Sequence, residues 1–450
     1  MVEIREQIIT LNKWHYEPGY RIEVGGKFRD LYSLITERYL AKNISISISG
    51  LRRVGKTTIL FQLINYLLES GTEGKRILYY QFSEKINNLE QVLQIFFTNF
   101  TDLEVGRDNF YIFLDELQYV RDWQSIVKGY IDQNKRIKFV VSGSASIYFR
   151  SSVKESLAGR MLDFTLHPLS FVEMLNLKYA FRGKYTFSKI VVDAGDKIGE
   201  LRKLQHERSP YQKWLSKYLA YGEFPALLPY LDDPEYCRKY LREGLLAKIL
   251  QKDIQLFEVE KEAEISALYR ISCSNMAQMM NLTNVAAETG LSYPTIKKYT
   301  LVLQKTYLIE DVVNRLRSVR AQVKALDKTF VTSINLAVTT LAIDDPLHPP
   351  YVDFRGHIIE NFVYNSVKQL GQTYYYNKAG KEVDLILEIG NKTIPIEVKS
   401  TAKLKKTDTN HLFNYMQKNK LDEGYLVYGG EVGRIEDDGR MIYLVPYWLL

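Results

Sequence analysis

Eight consecutive residues, Gly50-Leu51-Arg52-Arg53-Val54-Gly55-Lys56-Thr57, have the types and spacing of a phosphate-binding loop. In G-x-x-x-x-G-K-[ST] the glycines let the backbone wrap a β-phosphate with its N–H groups pointing inward. Lys56 then brings charge to the β- and γ-phosphates, the Thr57 hydroxyl coordinates Mg²⁺, and Thr58 follows them into the next helix. A run of alternating Ile and Ser, residues 44–49, enters the loop as a strand, and Thr58–Ile64 leaves it as a helix. A strand buried on both faces is usually apolar throughout, so the serines must be satisfied inside.

A second segment completes the site. Tyr111-Ile112-Phe113-Leu114 reads as a buried strand that ends in Asp115 and Glu116. Asp115 is expected to hold Mg²⁺ through water, and Glu116 to polarise the attacking water as general base. A further strand, residues 137–141, ends in Ser142-Gly143-Ser144. These two serines either contact the γ-phosphate or the lytic water, or make an ordinary turn. Arg160 either reaches a neighbouring subunit's γ-phosphate or pairs with a surface carboxylate.

The C-terminal hundred residues pose a different chemistry. Gly390-Asn391 is a favoured two-residue hairpin turn, and such a turn sets Asp384 directly opposite Glu397. Lys399 falls on the same face, while Leu385, Leu387, Ile389, Ile394, Ile396 and Val398 fall on the other. Two adjacent carboxylates repel unless a cation sits between them, which suits Mg²⁺ acting as a Lewis acid on a phosphodiester. Glu360, on a preceding helix, is the candidate third ligand, and Lys399 would orient the water or stabilise the developing charge. The alternative is a cross-strand Asp/Glu–Lys network.

Residues 284–299 have helix-turn-helix grammar. A small-residue helix ends at Gly290, Ser292 can cap a second helix, and Pro294 lies in its first turn. Residues 307–312 then resemble the first strand of a wing. Thr295, Lys297 and Lys298 are the expected contacts if the second helix enters a major groove, though winged helices also dock proteins.

The positioning elements follow from hydropathy. The first 175 residues alternate short apolar runs with helical patterns, with strands expected at 44–49, 77–82, 110–115, 137–142 and 162–166 in a parallel sheet flanked by helices. Residues 168–257 are mostly helical, with a Gly222-Glu223-Phe224-Pro225 turn. The expected modules are 1–175, a helical lid at 176–258, a winged helix at 259–325 and a terminal α/β domain at 326–450. In 450 residues with 46 % apolar and 25 % charged composition, disorder is excluded. No stretch reaches the roughly 20 apolar residues of a membrane span. The acidic start, with Glu3 and Glu6, does not read as a secretory signal, so a cytoplasmic protein with no membrane partner is expected. Two cysteines and six scattered histidines exclude a disulfide framework and make a zinc enzyme a poor reading. A net charge of +7 permits a nucleic-acid partner without requiring one.

Taken with Gly159-Arg160 and His167-Pro168-Leu169-Ser170-Phe171-Val172-Glu173, these motifs make the chain resemble the archaeal and bacterial AAA-type ATPases that carry a C-terminal nuclease-like domain. The set Glu360, Asp384 and Glu397-Val398-Lys399-Ser400 is similar to the PD-(D/E)xK nuclease core, including archaeal Holliday-junction resolvases. The resemblance implies a P-loop NTPase sheet, a helical lid, a winged helix and a nuclease-like α/β domain. It also implies ATP and Mg²⁺ as cofactors. Residues 328–333, Lys-Thr-Phe-Val-Thr-Ser, depart from the Asp-Thr-Gly segment such proteins tend to carry. The function expected is Mg²⁺-dependent ATP hydrolysis coupled to nucleic acid, with DNA the expected partner. A nucleotide switch or signalling ATPase with a non-cleaving terminal domain is the alternative, and a homo-oligomer or a protein partner stays open.

Overall fold

The computed structural model describes residues 2–25, 27–85, 87–101, 109–144, 157–179, 181, 187, 190–191, 195–257, 259, 261–316, 318–349 and 354–450. The chain forms two compact units, residues 1–167 with 305–307, and residues 168–304 with 308–450.

The first unit is built from α1 (Val2–Leu11), α2 (Asp30–Arg38), β1 (Ser45–Ser49), α3 (Lys56–Glu69), β2 (Ile77–Gln81), α4 (Leu89–Asn99), β3 (Phe110–Asp115), α5 (Trp123–Gln133), β4 (Ile137–Gly143) and β5 (Met161–Thr165). All five expected strands are present, in the all-parallel order β2-β3-β4-β1-β5. This is a P-loop NTPase fold. The chain leaves β1 toward β2 and returns through β3 and β4, and β5 lies on the other side. Crossovers therefore diverge at the carboxyl end of β1, where ligands collect in such sheets. Apolar residues of α1, α4 and α5 bury one face of β2, β3 and β4 in a single core that includes Ile8, Phe96, Val127, Tyr80, Ile112 and Phe139.

The serines of β1 are buried and bonded. Ser45 Oγ accepts from Phe139 N at 3.1 Å, Ser47 Oγ donates to Asp163 at 2.9 Å, and Ser49 Oγ donates to Phe164 O at 3.5 Å. The Ile/Ser alternation is thus a doubly buried strand whose polar side chains are spent on its two neighbours.

The second unit begins with α6 (Phe171–Tyr179) and α7 (Lys197–Arg208), then a run of short 3₁₀, α and π turns over 209–257 that includes α8 (Pro234–Lys239). The first unit ends before the expected boundary at 175, because α6 packs on this helical run: Leu169 N donates to Glu223 O and Tyr218 Oη to Leu169 O, both at 2.8 Å. Next come α9 (Glu262–Ser274), β6 (Gln278–Met279), α10 (Leu282–Thr289), α11 (Tyr293–Lys305), β7 (Ile309–Val312), α12 (Val319–Lys324), β8 (Lys328–Val331) and α13 (Ile334–Thr340). The three strands form a sheet in the order β6-β8-β7, so a boundary at 325 would cut β8 from its partners.

The terminal portion contains α14 (Phe354–Val367), β9 (Gln372–Lys378), β10 (Lys381–Ile389), β11 (Lys392–Val398), α15 (Asn410–Asn419), β12 (Glu423–Tyr428), β13 (Gly433–Asp437) and β14 (Arg440–Pro446), in a mixed sheet of order β13-β14-β12-β11-β10-β9. The β10–β11 register is the one the Gly390-Asn391 turn dictates, from Ile389↔Lys392 to Leu385↔Ile396. The face expected to be polar also carries Val383 and Ile386, which pack on Leu412, Tyr415 and Met416 of α15.

Glu223 fastens the second unit from within. Its buried carboxylate accepts from Ser333 Oγ at 2.5 Å, Ile334 N at 3.1 Å and Asn335 N at 2.9 Å, capping α13. Burial pushes its pKa up to about 7, against the lowering effect of these donors. A carboxyl raised in the folded state contributes stability that is complete below the unfolded pKa and is lost as pH climbs through the folded one. The melting temperature should therefore fall between pH 4.5 and 7.5 through a contribution on the order of 3 kcal/mol. In Glu223→Gln that slope should flatten, as thermal scans across this range would show; an unchanged slope would discharge Glu223 from the effect.

Candidate functional site

The loop that follows β1 is set by two glycines. Gly50 has φ +144°, and a Cβ there would stand 2.2 Å from Leu166 O, so the position admits no side chain. Gly55, with φ +106°, turns the chain into α3, whose first residue is Lys56. Arg29 braces the loop from outside the motif: its buried guanidinium donates to Val54 O at 2.7 Å and to His167 O at 2.9 Å. Lys56 Nζ donates to Gly50 O at 2.9 Å and Leu51 O at 2.7 Å. The ammonium therefore lies along the loop it serves.

Asp115 is the centre of the site. It has no exposed surface, and four groups donate to it. Thr57 Oγ1 lies 2.7 Å from Oδ2, Tyr79 Oη 3.1 Å from Oδ2, and Glu116 N 3.1 Å from Oδ1, while Ser142 Oγ also donates to Oδ1. Burial and the neighbouring carboxylate push the Tyr79 hydroxyl far above its usual range, which keeps it a donor. Thr57 and Asp115 bring hard oxygens together, the donor chemistry that a magnesium ion takes. Ser142 thus serves Asp115.

Glu116 sits in the left-handed region at φ +57°. The Gln118 amide nitrogen donates to Glu116 Oε2 and, at 3.1 Å, to Ser144 Oγ, while Gln118 Oε1 accepts from Ser144 N at 3.3 Å. One amide therefore ties the carboxylate after β3 to the end of β4. A cavity of about 660 Å³ lies alongside, with Arg52, Glu116, Gln81 and Glu3 in its lining.

Arg160 stands at the amino-terminal end of β1. It pairs with Asp132 at 2.6 Å and gives its carbonyl to Ser45 N. The phosphate loop leaves the opposite end, roughly 16 Å away for a five-residue strand. Arg160 cannot touch its own chain's nucleotide, and the surface-carboxylate alternative is the one observed.

Residues 42–175 match the model of an AAA domain. This segment, with the phosphate loop and the parallel sheet, is similar to AAA-type ATPase domains. Residues 212–347 and 355–450 match two models, each described as a domain of unknown function, DUF8612 and DUF4143. The chain is 23 % identical over 421 residues to an uncharacterized protein of Haemophilus influenzae, covering 90 % of this chain and 93 % of the relative. It is also 23 % identical over 456 residues to one from Methanocaldococcus jannaschii, covering 95 % and 92 %. Solved structures similar to it include Cdc6p from Pyrobaculum aerophilum, at 13 % identity, 73 % and 96 % coverage and a TM-score of 0.26. AMPPCP-bound DnaA from Aquifex aeolicus is similar at 12 % identity, 64 % and 92 % coverage and a TM-score of 0.26.

The terminal candidates fall as follows. Asp384 lies where the β9–β10 register shifts between Val383 and Ile386, and its Oδ2 accepts from Val398 N at 2.7 Å. Such a bulge re-aims a side chain. Glu397 pairs with Lys399 at 2.6 Å. Glu360 pairs with Lys328 at 2.5 Å. Burial, then the charge of Asp384, pushes Glu360 and Glu397 up to about 8. Among the described residues, no group of three or more acidic, His or Cys side chains is arranged to hold a metal, so the expected ligand set of Glu360, Asp384 and Glu397 is not assembled as one. Lysines are paired with two of the three instead, Lys328 with Glu360 and Lys399 with Glu397.

Of the residues that the motifs missed, Arg29 and Gln118 bear directly on the nucleotide. Gln118→Ala should release the Glu116 carboxylate and lower kcat for ATP about tenfold while nucleotide affinity stays within twofold. Steady-state turnover beside calorimetric binding decides it, and an affinity loss matching the rate loss would count against a positioning role.

Proposed function

We propose that this protein is a Mg²⁺-dependent ATPase that acts on nucleic acid, with DNA the preferred partner, and that its C-terminal portion is a nuclease-like domain. The observation that carries the reading is the buried Asp115, joined at 2.7 Å to Thr57 immediately after the loop lysine. On this reading the loop amides bind the β-phosphate, and Lys56 leaves the Gly50 and Leu51 carbonyls for the β- and γ-phosphate oxygens. Thr57 and Asp115 would hold magnesium, which when bound offsets phosphate charge. Glu116, oriented by Gln118, takes a proton from the water whose oxygen attacks the γ-phosphorus. The bond to the β-phosphate oxygen breaks, giving ADP and phosphate.

The partner reading rests on α11 of a winged-helix module. Ile296, Tyr299, Val302 and Leu303 are buried, Lys297 and Lys298 are exposed, and Thr295 is half-buried. A homo-oligomer is compatible with this reading, and there an Arg160 acting in trans would have to leave Asp132. That no described helix is long and apolar enough to cross a membrane is in keeping with action away from bilayers.

A second reading is favoured by Lys328, whose ammonium contacts the terminal carboxylates. On it, the same ATPase binds DNA or protein and its terminal domain does not cleave.

Lys56→Ala should abolish nucleotide binding or turnover, and Glu116→Gln should bind ATP normally while turnover falls at least a hundredfold. Wild-type turnover in Glu116→Gln would refute its role as base. Lys297→Glu with Lys298→Glu should weaken DNA binding tenfold or more and reduce the salt slope by about two. Fluorescence anisotropy at several salt concentrations measures both, and unchanged affinity would remove DNA from α11. Cleavage of DNA by the wild-type chain, lost in Asp384→Ala, would end the second reading.

A further inference from the structure

A divalent ion among Glu360, Asp384 and Glu397 is what a cleaving nuclease fold asks of the terminal sheet, and these side chains meet a different cation. Lys328, 4 % exposed at the start of β8, places Nζ 2.5 Å from Glu360 Oε1, 2.8 Å from Glu382 Oε1 and 4.0 Å from Asp384 Oδ1. Lys399 takes Glu397 Oε1, and the Val398 amide takes Asp384 Oδ2. Glu397 Oε2 is buried without a hydrogen bond. Mg²⁺ fills part of its six-oxygen shell with water, so what opposes it here is the ammonium that lies against Glu360 and faces Asp384.

Lys328 is buried, and its ammonium faces three carboxylates at once, Glu360, Glu382 and Asp384. Its backbone is fixed as well, since Lys328 pairs with both Met279 and Val312 in the β6-β8-β7 sheet. A metal entering between Glu360 and Asp384 would meet a like charge on a buried side chain. The residue belongs to the 328–333 segment where the sequence departs from the related ATPases.

We infer that Lys328 is the resident cation of the Glu360–Glu382–Asp384 cluster, so that this site excludes divalent metal and serves to tie β8 to the terminal sheet. The inference deepens the non-cleaving reading and stands on these contacts independently of the ATPase.

The test uses the full chain without nucleotide, with Asp115→Asn in every sample so that the phosphate loop contributes no metal. Mn²⁺ is counted by electron paramagnetic resonance, and melting is followed with and without 5 mM MnCl₂, a concentration on the order of fivefold above a millimolar site. With Lys328 present, no Mn²⁺ should bind at the cluster and the melting temperature should move by less than about 1 °C. Lys328→Met should gain one Mn²⁺ and about 3 °C on adding MnCl₂, and both gains should vanish when Asp384→Asn is added. Mn²⁺ bound by the Lys328 chain and lost in Glu360→Gln or Asp384→Asn overturns the inference. So does a folded Lys328→Met chain that binds none. If Lys328→Met fails to fold, the Lys328 chain and its Glu360→Gln variant decide alone. DNA cleavage that persists with no Mn²⁺ in the cluster would sink the non-cleaving reading and leave the lysine assignment standing.

Discussion

A carboxyl group with no exposed surface needs hydrogen-bond donors around it, and Asp115 imposes that demand on the whole first unit. Its donors come from four places in the chain: Thr57 on α3, Tyr79 on β2, Ser142 on β4 and the amide of Glu116 just beyond β3. No local segment can supply them together. Only the parallel order β2-β3-β4-β1 brings the ends of these strands to one edge. The order of the sheet and the survival of the site are in this sense one requirement. The oxygen pair that suits a divalent ion is held ready by the contacts that fix the Asp115 carboxyl in place.

Much of this was readable in the sequence because the phosphate loop is short-range: glycines at fixed offsets, a lysine and a threonine between a strand and a helix. The hairpin was readable for the same reason, since a two-residue turn fixes every pair down to Leu385↔Ile396. What escaped reading is long-range. Gln118 lies two positions from Glu116, yet its meaning comes from Ser144 on another strand. Arg29 reaches Val54 and His167, neither of which any spacing connects to it. Arg160 is a related case, because sequence placed it near the ATPase motifs without saying at which end of the sheet it stands. The serines of β1 show the reverse case: their pattern looked half-exposed, and hydrogen bonds to both neighbouring strands explain it.

The second unit meets the same constraint at Glu223 and at the terminal carboxylates. Glu223 is answered by hydroxyl and amide donors at the start of α13, with no cation in contact. The terminal carboxylates, held on a helix and two strands, need more, and two lysines supply it. One of those lysines comes from β8, a strand of the other sheet in this unit. An expected boundary between 325 and 326 fails there on physical grounds, since it would separate β8 from β6 and β7 and leave Glu360 facing a cation in a different module.

An ammonium and a divalent metal solve the repulsion of such carboxylates equally well, but they license different chemistry. A metal offers open coordination positions on which a water can lose its proton and a phosphoryl oxygen can be polarised. An ammonium offers hydrogen bonds and one charge, and here Glu360 and Glu382 already engage it at close range. With Lys328 as resident cation, the terminal hairpin keeps its carboxylates together without the metal that would activate water. Glu116 differs: it follows β3 beside the cavity at the phosphate loop and is held by a neighbouring amide. The chain's two acidic centres thus divide by what faces them: one prepared for a reaction, the other for holding two sheets together.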